Sequence, residues 1–347
     1  MSAAADARPL ILTPGDPAGI GPEIALAAWR GRADAALPAF ALLDDPDRVA
    51  ALADRLFGDV AVQVIDRLDQ AATVFAEAVP VVAHPWPAQV TPGAPDPANG
   101  RAVIGGIDRA VSLVRSGEAD AVVTNPIAKH VLQAAGFAHP GHTEYLADLS
   151  ADAAGAAPTP VMMLAAPGLR VVPLTVHIPL ADVPDTVTHD RIVTTARIAL
   201  DGLQRDFGIA RPRLAVAGLN PHAGENGTMG RAEIDVIEPA MDALRGEGWA
   251  VDGPRSADTM FHADARAGYD AALCMYHDQA LIPLKTLDFA RGVNITLGLP
   301  FVRTSPDHGT AFGIAGTGTA DPRSLIEALR SARQLAANRA QAAEAAA

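Results

Sequence analysis

Cysteine is almost absent from this chain, with one residue, Cys274, in 347. No disulfide can form within it, and the thiol lies in the apolar run Ala271-Ala272-Leu273-Cys274-Met275-Tyr276, where it reads as inert packing. A reducing compartment is expected. Lysine is scarce too: of the 27 basic residues only Lys129 and Lys285 are lysine. A compact, titratable ammonium kept where arginine is the rule marks a place that a planar, permanently charged guanidinium cannot fill. Positive charge is short overall, 27 Lys and Arg against 40 Asp and Glu, for a net charge of −13. That balance excludes a general binder of nucleic acid or other polyanions, so any phosphate has to be held by a local pocket. Nowhere do about 18 apolar residues run uninterrupted, and residues 1–8 are small and polar. Neither a membrane span nor a signal peptide is expected, and the protein is expected to be cytoplasmic. Internal repeats are also missing.

What is present is apolar residue in quantity, 49% of the chain, in a length beyond the usual limit of one hydrophobic core, so two domains are expected. Apolar runs at 9–13, 40–43, 60–65, 79–83 and 120–124 read as strands. Helical stretches starting at Pro22 and Pro46, near Asp69 and over 102–116 alternate with them. Further helices are expected over about 190–207 and 232–246, with an Ala-rich helical tail from 325 to 347. Strand and helix trading places in this way is the pattern of an α/β fold.

Three histidines each close a short apolar run: Val171-Val172-Pro173-Leu174-Thr175-Val176 before His177, Leu214-Ala215-Val216-Ala217-Gly218-Leu219-Asn220-Pro221 before His222, and the run around Cys274 before His277. Such runs read as buried strands of a parallel sheet, and ligands of open α/β sheets sit beyond the carboxyl ends of the strands. The repetition, with Asn220, Glu225, Asp278 and Gln279 close by in sequence, points to one imidazole cage for a divalent ion, although the spacing fits no local zinc motif. His142-Thr143-Glu144 reads as a turn feeding a helix whose first amides can meet an anion. Lys285, Asn294 and Arg303, in a stretch dense with turn residues, form a plausible phosphate grip. The loop His308-Gly309-Thr310-Ala311-Phe312-Gly313-Ile314-Ala315-Gly316-Thr317-Gly318 lets backbone approach a ligand closely. Gly19-Ile20-Gly21-Pro22-Glu23 lacks the third glycine of the dinucleotide fingerprint, so no ordinary Rossmann site rests on it.

Five of these segments, in one order, carry a resemblance. Thr13-Pro14-Gly15-Asp16-Pro17-Ala18-Gly19-Ile20-Gly21-Pro22-Glu23, Gly141-His142-Thr143-Glu144, Asn220-Pro221-His222-Ala223-Gly224-Glu225, Tyr276-His277-Asp278-Gln279 and Asp307-His308-Gly309-Thr310-Ala311 together resemble the 4-hydroxythreonine-4-phosphate dehydrogenase (PdxA) family, over residues 9–329. The first and last are also similar to segments of isocitrate and isopropylmalate dehydrogenases. The resemblance implies two α/β domains of that kind with a cleft between them, here 1–135 with 305–347 and 136–304, in a homodimer whose active site lies at the subunit interface. It implies that His177, His222 and His277 hold a divalent ion (zinc, magnesium or cobalt), His277 coming from the partner. His142, Thr143, Lys285, Asn294 and Arg303 would bind a phosphorylated substrate, and His308, Gly309, Thr310, Ala311 and Gly316 would contact NAD or NADP. In the family an acidic residue is expected where Gly313 stands, a departure that bears on loop rigidity and cofactor affinity.

The implied reaction is oxidation of the secondary alcohol of 4-phosphooxy-L-threonine to a β-keto acid, 2-amino-3-oxo-4-phosphooxybutanoate, that loses carbon dioxide to give 3-amino-2-oxopropyl phosphate. It belongs to pyridoxal phosphate biosynthesis. A base must take the alcohol proton; Asp258, Asp278, or a Lys129 depressed by burial are the candidates. Other phosphorylated hydroxy acids, such as threonate or erythronate phosphate, and dihydrodiol carboxylates are alternative substrates. A metal hydrolase and a non-catalytic phospholigand sensor are alternatives of another class.

Overall fold

The computed structural model describes residues 7–139 and 141–346. Residues 1–6, Pro140 and Ala347 lie outside the described residues, and with them most of the small, polar N-terminal stretch, the proline before the His142 turn and the end of the tail. The chain forms two units, residues up to 160 with 299–336, and 161–298 with those from 337 on.

The first unit carries β1 (Leu10–Leu12), β2 (Phe40–Asp44), β3 (Val62–Val64), β4 (Val79–Ala83), β5 (Ala121–Val123) and, returning late in the chain, β12 (Val302–Pro306). They lie in the order β3-β4-β2-β1-β5-β12, every pair parallel. Parallel strands covered on both faces have no polar side to show, so β1, β2 and β5 are buried at every residue and read as unbroken apolar runs. Helix Gly21–Arg30 starts on Pro22, whose missing N–H costs nothing in a first turn; helix Pro46–Leu56 starts on Pro46 with Asp45 accepting Arg48 N–H at 2.9 Å. Ile11, Leu43 and Val122 of the sheet meet Ile107 and Val111 of helix Gly100–Arg115 and Leu146 and Ala147 of helix His142–Asp148 in one core.

These contacts move the domain boundaries from their expected places. Residues 136–160 and 299–304 belong to the first unit. Leu146 and Ala147 lie in its core, and β12 pairs Val302 and Arg303 with Ala121 and Val122.

The second unit carries β6 (Val161–Ala166), β7 (Leu169–Pro173), β8 (Arg213–Ala217), β9 (Ala250–Arg255), β10 (Ala271–Cys274) and β11 (Val293–Leu297), in the order β11-β6-β7-β10-β8-β9. From β7 to β9 the strands are parallel, whereas β6 pairs antiparallel with both β7 and β11. The β6–β7 hairpin turns on Pro167-Gly168, with Gly168 at φ +83°, a left-handed conformation that glycine takes at no steric cost. Helix His189–Arg205 starts on Thr188, which accepts Arg191 N–H at 3.4 Å, and buries Ile192, Val193, Ala196, Ala199, Leu200 and Leu203 along one stripe.

Candidate active site

The three runs that end in the metal-candidate histidines are β7, β8 and β10, neighbours in the parallel part of the second unit's sheet. The pairing of β7 with β10 continues past the ladder: Leu174 N–H donates to Cys274 O at 2.7 Å and the Thr175 hydroxyl to Met275 O at 2.8 Å. Two chains held together that far deliver the next side chains together, and the His177 and His277 rings stand 5.8 Å apart, centroid to centroid. Asp278 Oδ1 lies 2.7 Å from His277 Nδ1, which leaves Nε2 as the atom to offer a ligand, the arrangement of a metal-binding imidazole fixed by a carboxylate. Gln279, 8% exposed, accepts Met275 N–H at 2.6 Å and donates to Gly218 O at 2.7 Å, tying the ends of β10 and β8 together.

His222 is presented differently. His222, Ala223, Gly224, Glu225 and Asn226 follow one another with φ of 52°, 50°, 78°, 42° and 56°, a left-handed turn in which four residues carry a Cβ. Such a run is unfavourable for L-residues and persists only where its surroundings impose it. Here Glu233, 1% exposed, imposes it: Asn220 donates to its carboxylate from the backbone N–H at 2.7 Å and from Nδ2 at 3.0 Å. A methyl on Gly224 would stand 2.6 Å from Glu233 Oε2, so the turn packs onto that carboxylate. The donor chemistry suits a divalent ion, but among the described residues no three His, Cys, Asp or Glu side chains are placed to hold one. One chain thus puts His177 beside its own His277 and does not complete the trio with His222. The resemblance had implied instead that His277 reaches the other two from a partner.

The phosphate candidates fall in both units. In the first, Arg303 lies on β12, 3% exposed, and donates to Thr124 Oγ1 from Nη2 at 2.7 Å and Nε at 3.2 Å. Burial lowers its pKa to about 10, against the opposing pull of the Glu144 carboxylate. His142 opens helix His142–Asp148. Desolvation first, and then the Arg303 cation, hold its pKa well below the ordinary histidine value, so the ring is neutral near pH 7. Its Nε2 is buried and meets no hydrogen-bond partner among the described residues. A buried cation beside an unspent imidazole nitrogen is a place prepared for an anion with a proton or lone pair to share. Thr143 is the next residue of the same helix, and a methyl on Gly141 would stand 3.8 Å from Lys129 Cε, so the lysine stem reaches that turn.

In the second unit Lys285 shares a groove with His277, Asp278, Leu281, Ile282 and Thr286, all of helix His277–Leu287. Asn294 lies on β11 with Oδ1 buried and without a partner among the described residues. Lys285, Asn294 and Arg303 therefore sit on regular helix and strand, not on the turn-rich stretch that the sequence suggested. The turn residues belong to the short connections between those elements.

Of the candidate bases, Lys129 is exposed and not buried as expected. Asp258 is exposed and accepts the Ser256 hydroxyl; Asp278 is held by His277. The glycine loop lies in the first unit, with Ala311 at φ 45° and Gly316 at φ +74°. His308 Nε2 is buried without a partner among the described residues, and a methyl on Gly309 or Gly313 would meet nothing within 4 Å. Gly313 has ordinary negative φ, so nothing in its surroundings demands glycine. Sequence reasoning gave no role to Thr124, Asn125, Glu23 or Glu233, although Glu23 closes the first segment of the family resemblance. Asn125 is fully buried, donates to Thr13 O at 3.0 Å and keeps its own Oδ1 without a partner among the described residues.

The pyridoxal phosphate biosynthetic protein PdxA family matches residues 38–332. The chain belongs to the PdxA family. A 4-hydroxythreonine-4-phosphate dehydrogenase of Methylorubrum populi is 58% identical over 335 residues, 96% of each chain. The crystal structure of a 4-hydroxythreonine-4-phosphate dehydrogenase from Klebsiella pneumoniae superposes with a TM-score of 0.85 at 38% identity, covering 95% of this chain and 98% of that one. A terephthalate 1,2-cis-dihydrodiol dehydrogenase from Burkholderia xenovorans superposes with a TM-score of 0.63 at 31% identity, covering 94% and 98%. The PdxA chain described here is thus an α/β oxidoreductase, and the hydrolase and sensor alternatives fall away. No helix among its described residues is long and apolar enough to cross a membrane.

Proposed function

We propose that this chain oxidises the secondary alcohol of 4-phosphooxy-L-threonine with NAD or NADP as acceptor, in the presence of a divalent ion. The product is 2-amino-3-oxo-4-phosphooxybutanoate, which loses carbon dioxide to give 3-amino-2-oxopropyl phosphate. The observation that carries the reading is the buried Arg303 guanidinium beside the neutral His142, whose Nε2 is unspent among the described residues. That pair, with Thr143, Lys285 and Asn294, binds and orients the phosphorylated substrate. His177, His222 and His277 are the residues that would hold the ion, and the loop from His308 through Gly309, Thr310 and Ala311 to Gly316 would take the dinucleotide. When bound, the ion supplies Lewis acidity toward the alcohol and the dinucleotide accepts a hydride. The chain's own task at that moment is to take the hydroxyl proton, for which Asp278 and Asp258 remain the carboxylate candidates and Lys129 the amine.

Completion of the imidazole set calls for a second copy of the chain. Ile178 and Leu180, which follow His177, and Ile282, Leu287 and Phe289, on and after the helix that His277 opens, are large apolar side chains left exposed beside those two histidines. A homodimer that covers them fits this distribution.

Likeness to a dihydrodiol dehydrogenase keeps an unphosphorylated substrate in view, and a panel decides. Reduced nicotinamide is followed by absorbance with 4-phosphooxy-threonine, threonate phosphate, erythronate phosphate and a dihydrodiol carboxylate, each with NAD and NADP. Expected is turnover of the phosphorylated amino acid, and in Arg303→Lys a fall in kcat/KM of about 10- to 100-fold, because lysine keeps the charge but loses the forked donor geometry. Turnover confined to the dihydrodiol carboxylate, untouched by Arg303→Lys, would overturn the reading.

A further inference from the structure

The run Gly19-Ile20-Gly21-Pro22-Glu23 ends on a carboxylate that the fold buries. Glu23 is 2% exposed in the first turn of helix Gly21–Arg30. A buried carboxylate has to be met by donors. One comes from the glycine loop and one from just after it: Gly316 N–H donates to Oε2 at 2.7 Å and Ala320 N–H to Oε1 at 3.2 Å. One side chain thereby holds two amides four positions apart, and the turn Thr317-Gly318-Thr319 between them is fixed with respect to the helix.

The rest of the loop is gripped by backbone of the same neighbourhood. Ile20 N–H donates to Thr310 O at 3.0 Å, and Gly93 N–H to Ala18 O at 2.8 Å. A methyl on Gly93 would stand 2.9 Å from Phe312 O, and one on Gly316 would stand 2.7 Å from Pro92 Cβ. Contact is therefore close on that side. Elsewhere in the loop a methyl on Gly309 or Gly313 would meet nothing within 4 Å among the described residues, and the buried His308 Nε2 has no partner among them.

We propose that Glu23 is the positioning residue of the dinucleotide loop: through Gly316 and Ala320 it sets the loop backbone in the arrangement that the nicotinamide dinucleotide binds, without touching the ligand itself. The inference rests on the reading of residues 308–318 as the dinucleotide contact. Two backbone N–H groups donating to the two oxygens of one buried carboxylate suit a fixed support.

The test uses the full-length protein and NAD+. Binding is measured by calorimetry and amide hydrogen exchange is followed over 308–320, for the wild type, Glu23→Gln and Glu23→Asp. Glutamine keeps the volume but turns an NH2 against one of the two amide donors. Aspartate keeps the charge and withdraws it, and serves if the glutamine variant fails to fold. Expected are NAD+ binding weaker by about tenfold, the worth of one charged hydrogen bond, KM for NAD+ raised in step, and faster exchange at Gly316 and Ala320. The kcat and the KM for the phosphorylated substrate should stay within about twofold, because the effect is confined to one loop. Unchanged NAD+ affinity in a folded variant whose Gly316 amide exchanges faster overturns the inference. So does a parallel loss of NAD+ affinity, substrate affinity and melting temperature, the behaviour of a simple strut. If neither NAD+ nor NADP+ protects the amides of 308–320 in the wild type, the reading of the loop itself fails, whatever Glu23 does.

Discussion

His142 is asked to stay neutral in a buried place beside a guanidinium, and that demand has a consequence for stability. Desolvation and the Arg303 charge hold its folded-state pKa well below the unfolded value near 6.5. Between the two values the unfolded chain binds a proton that the folded chain refuses, so stability falls as the pH drops from about 6.5 toward the folded-state pKa, and is unaffected above. Urea midpoints measured from pH 7.5 down to 5 should decline in the wild type and decline less in His142→Gln; equal slopes would mean that the ring is not the group responsible. The chemistry at such residues was only partly legible. His142 and the three strand-end histidines could be picked out as candidates because each stands in a distinctive local run, and Arg303 because it was read from a turn-rich stretch, although it lies on β12. Glu23 and Glu233 were not picked out, because the amides that Glu23 receives lie 293 and 297 positions away, and nothing near it announces them. Lys129 is exposed where burial was expected, because exposure is set by what packs over a side chain and the local sequence does not show it.

At the scale of elements, the helices were easiest to read. The stripe in His189–Arg205 recurs every three or four residues on a helix that packs against β6, β8 and β11, and Leu200 in its middle is 0% exposed. Truncation there removes buried methyl groups from a face that cannot collapse around the gap, so Leu200→Ala is expected to cost about 2–5 kcal/mol in denaturant unfolding. A loss below about 1 kcal/mol would mean that the helix packs more loosely than described. Most parallel strands were legible as apolar runs, whereas the parallel β9 and β12 and the antiparallel β6 and β11 were not. Their residues Val161-Met162-Met163-Leu164 and Val293-Asn294-Ile295 differ little from parallel strands in composition; direction was encoded in the connection, Pro167-Gly168, which permits a hairpin and no crossover. The left-handed turn at His222 had no local signature beyond Gly224, since its conformation is imposed by Asn220 and Glu233.

For the molecule as a whole, the proposed imidazole site makes a prediction that subunit mixing checks. One chain sets His177 beside its own His277 and does not bring His222 into a trio with them. Suppose His222 and His277 of one site come from different subunits. Then in a mixed dimer of His222→Ala and His277→Ala chains one site carries both lesions and the other carries neither. Random exchange makes about half the dimers mixed, so about a quarter of the wild-type activity should return from two inactive parents. If all ligands of a site belonged to one chain, every site in the mixture would lack one and no activity would return. Mixing His177→Ala with His277→Ala then separates the two crossed arrangements. Recovery means that the partner brings His277 to His177 and His222, as the family resemblance implied. No recovery, alongside recovery in the first mixture, means that the pair seen within one chain acts as a unit and the partner brings His222. The parents must be shown to dimerise by sedimentation beforehand, since a monomer would give the same blank in both mixtures.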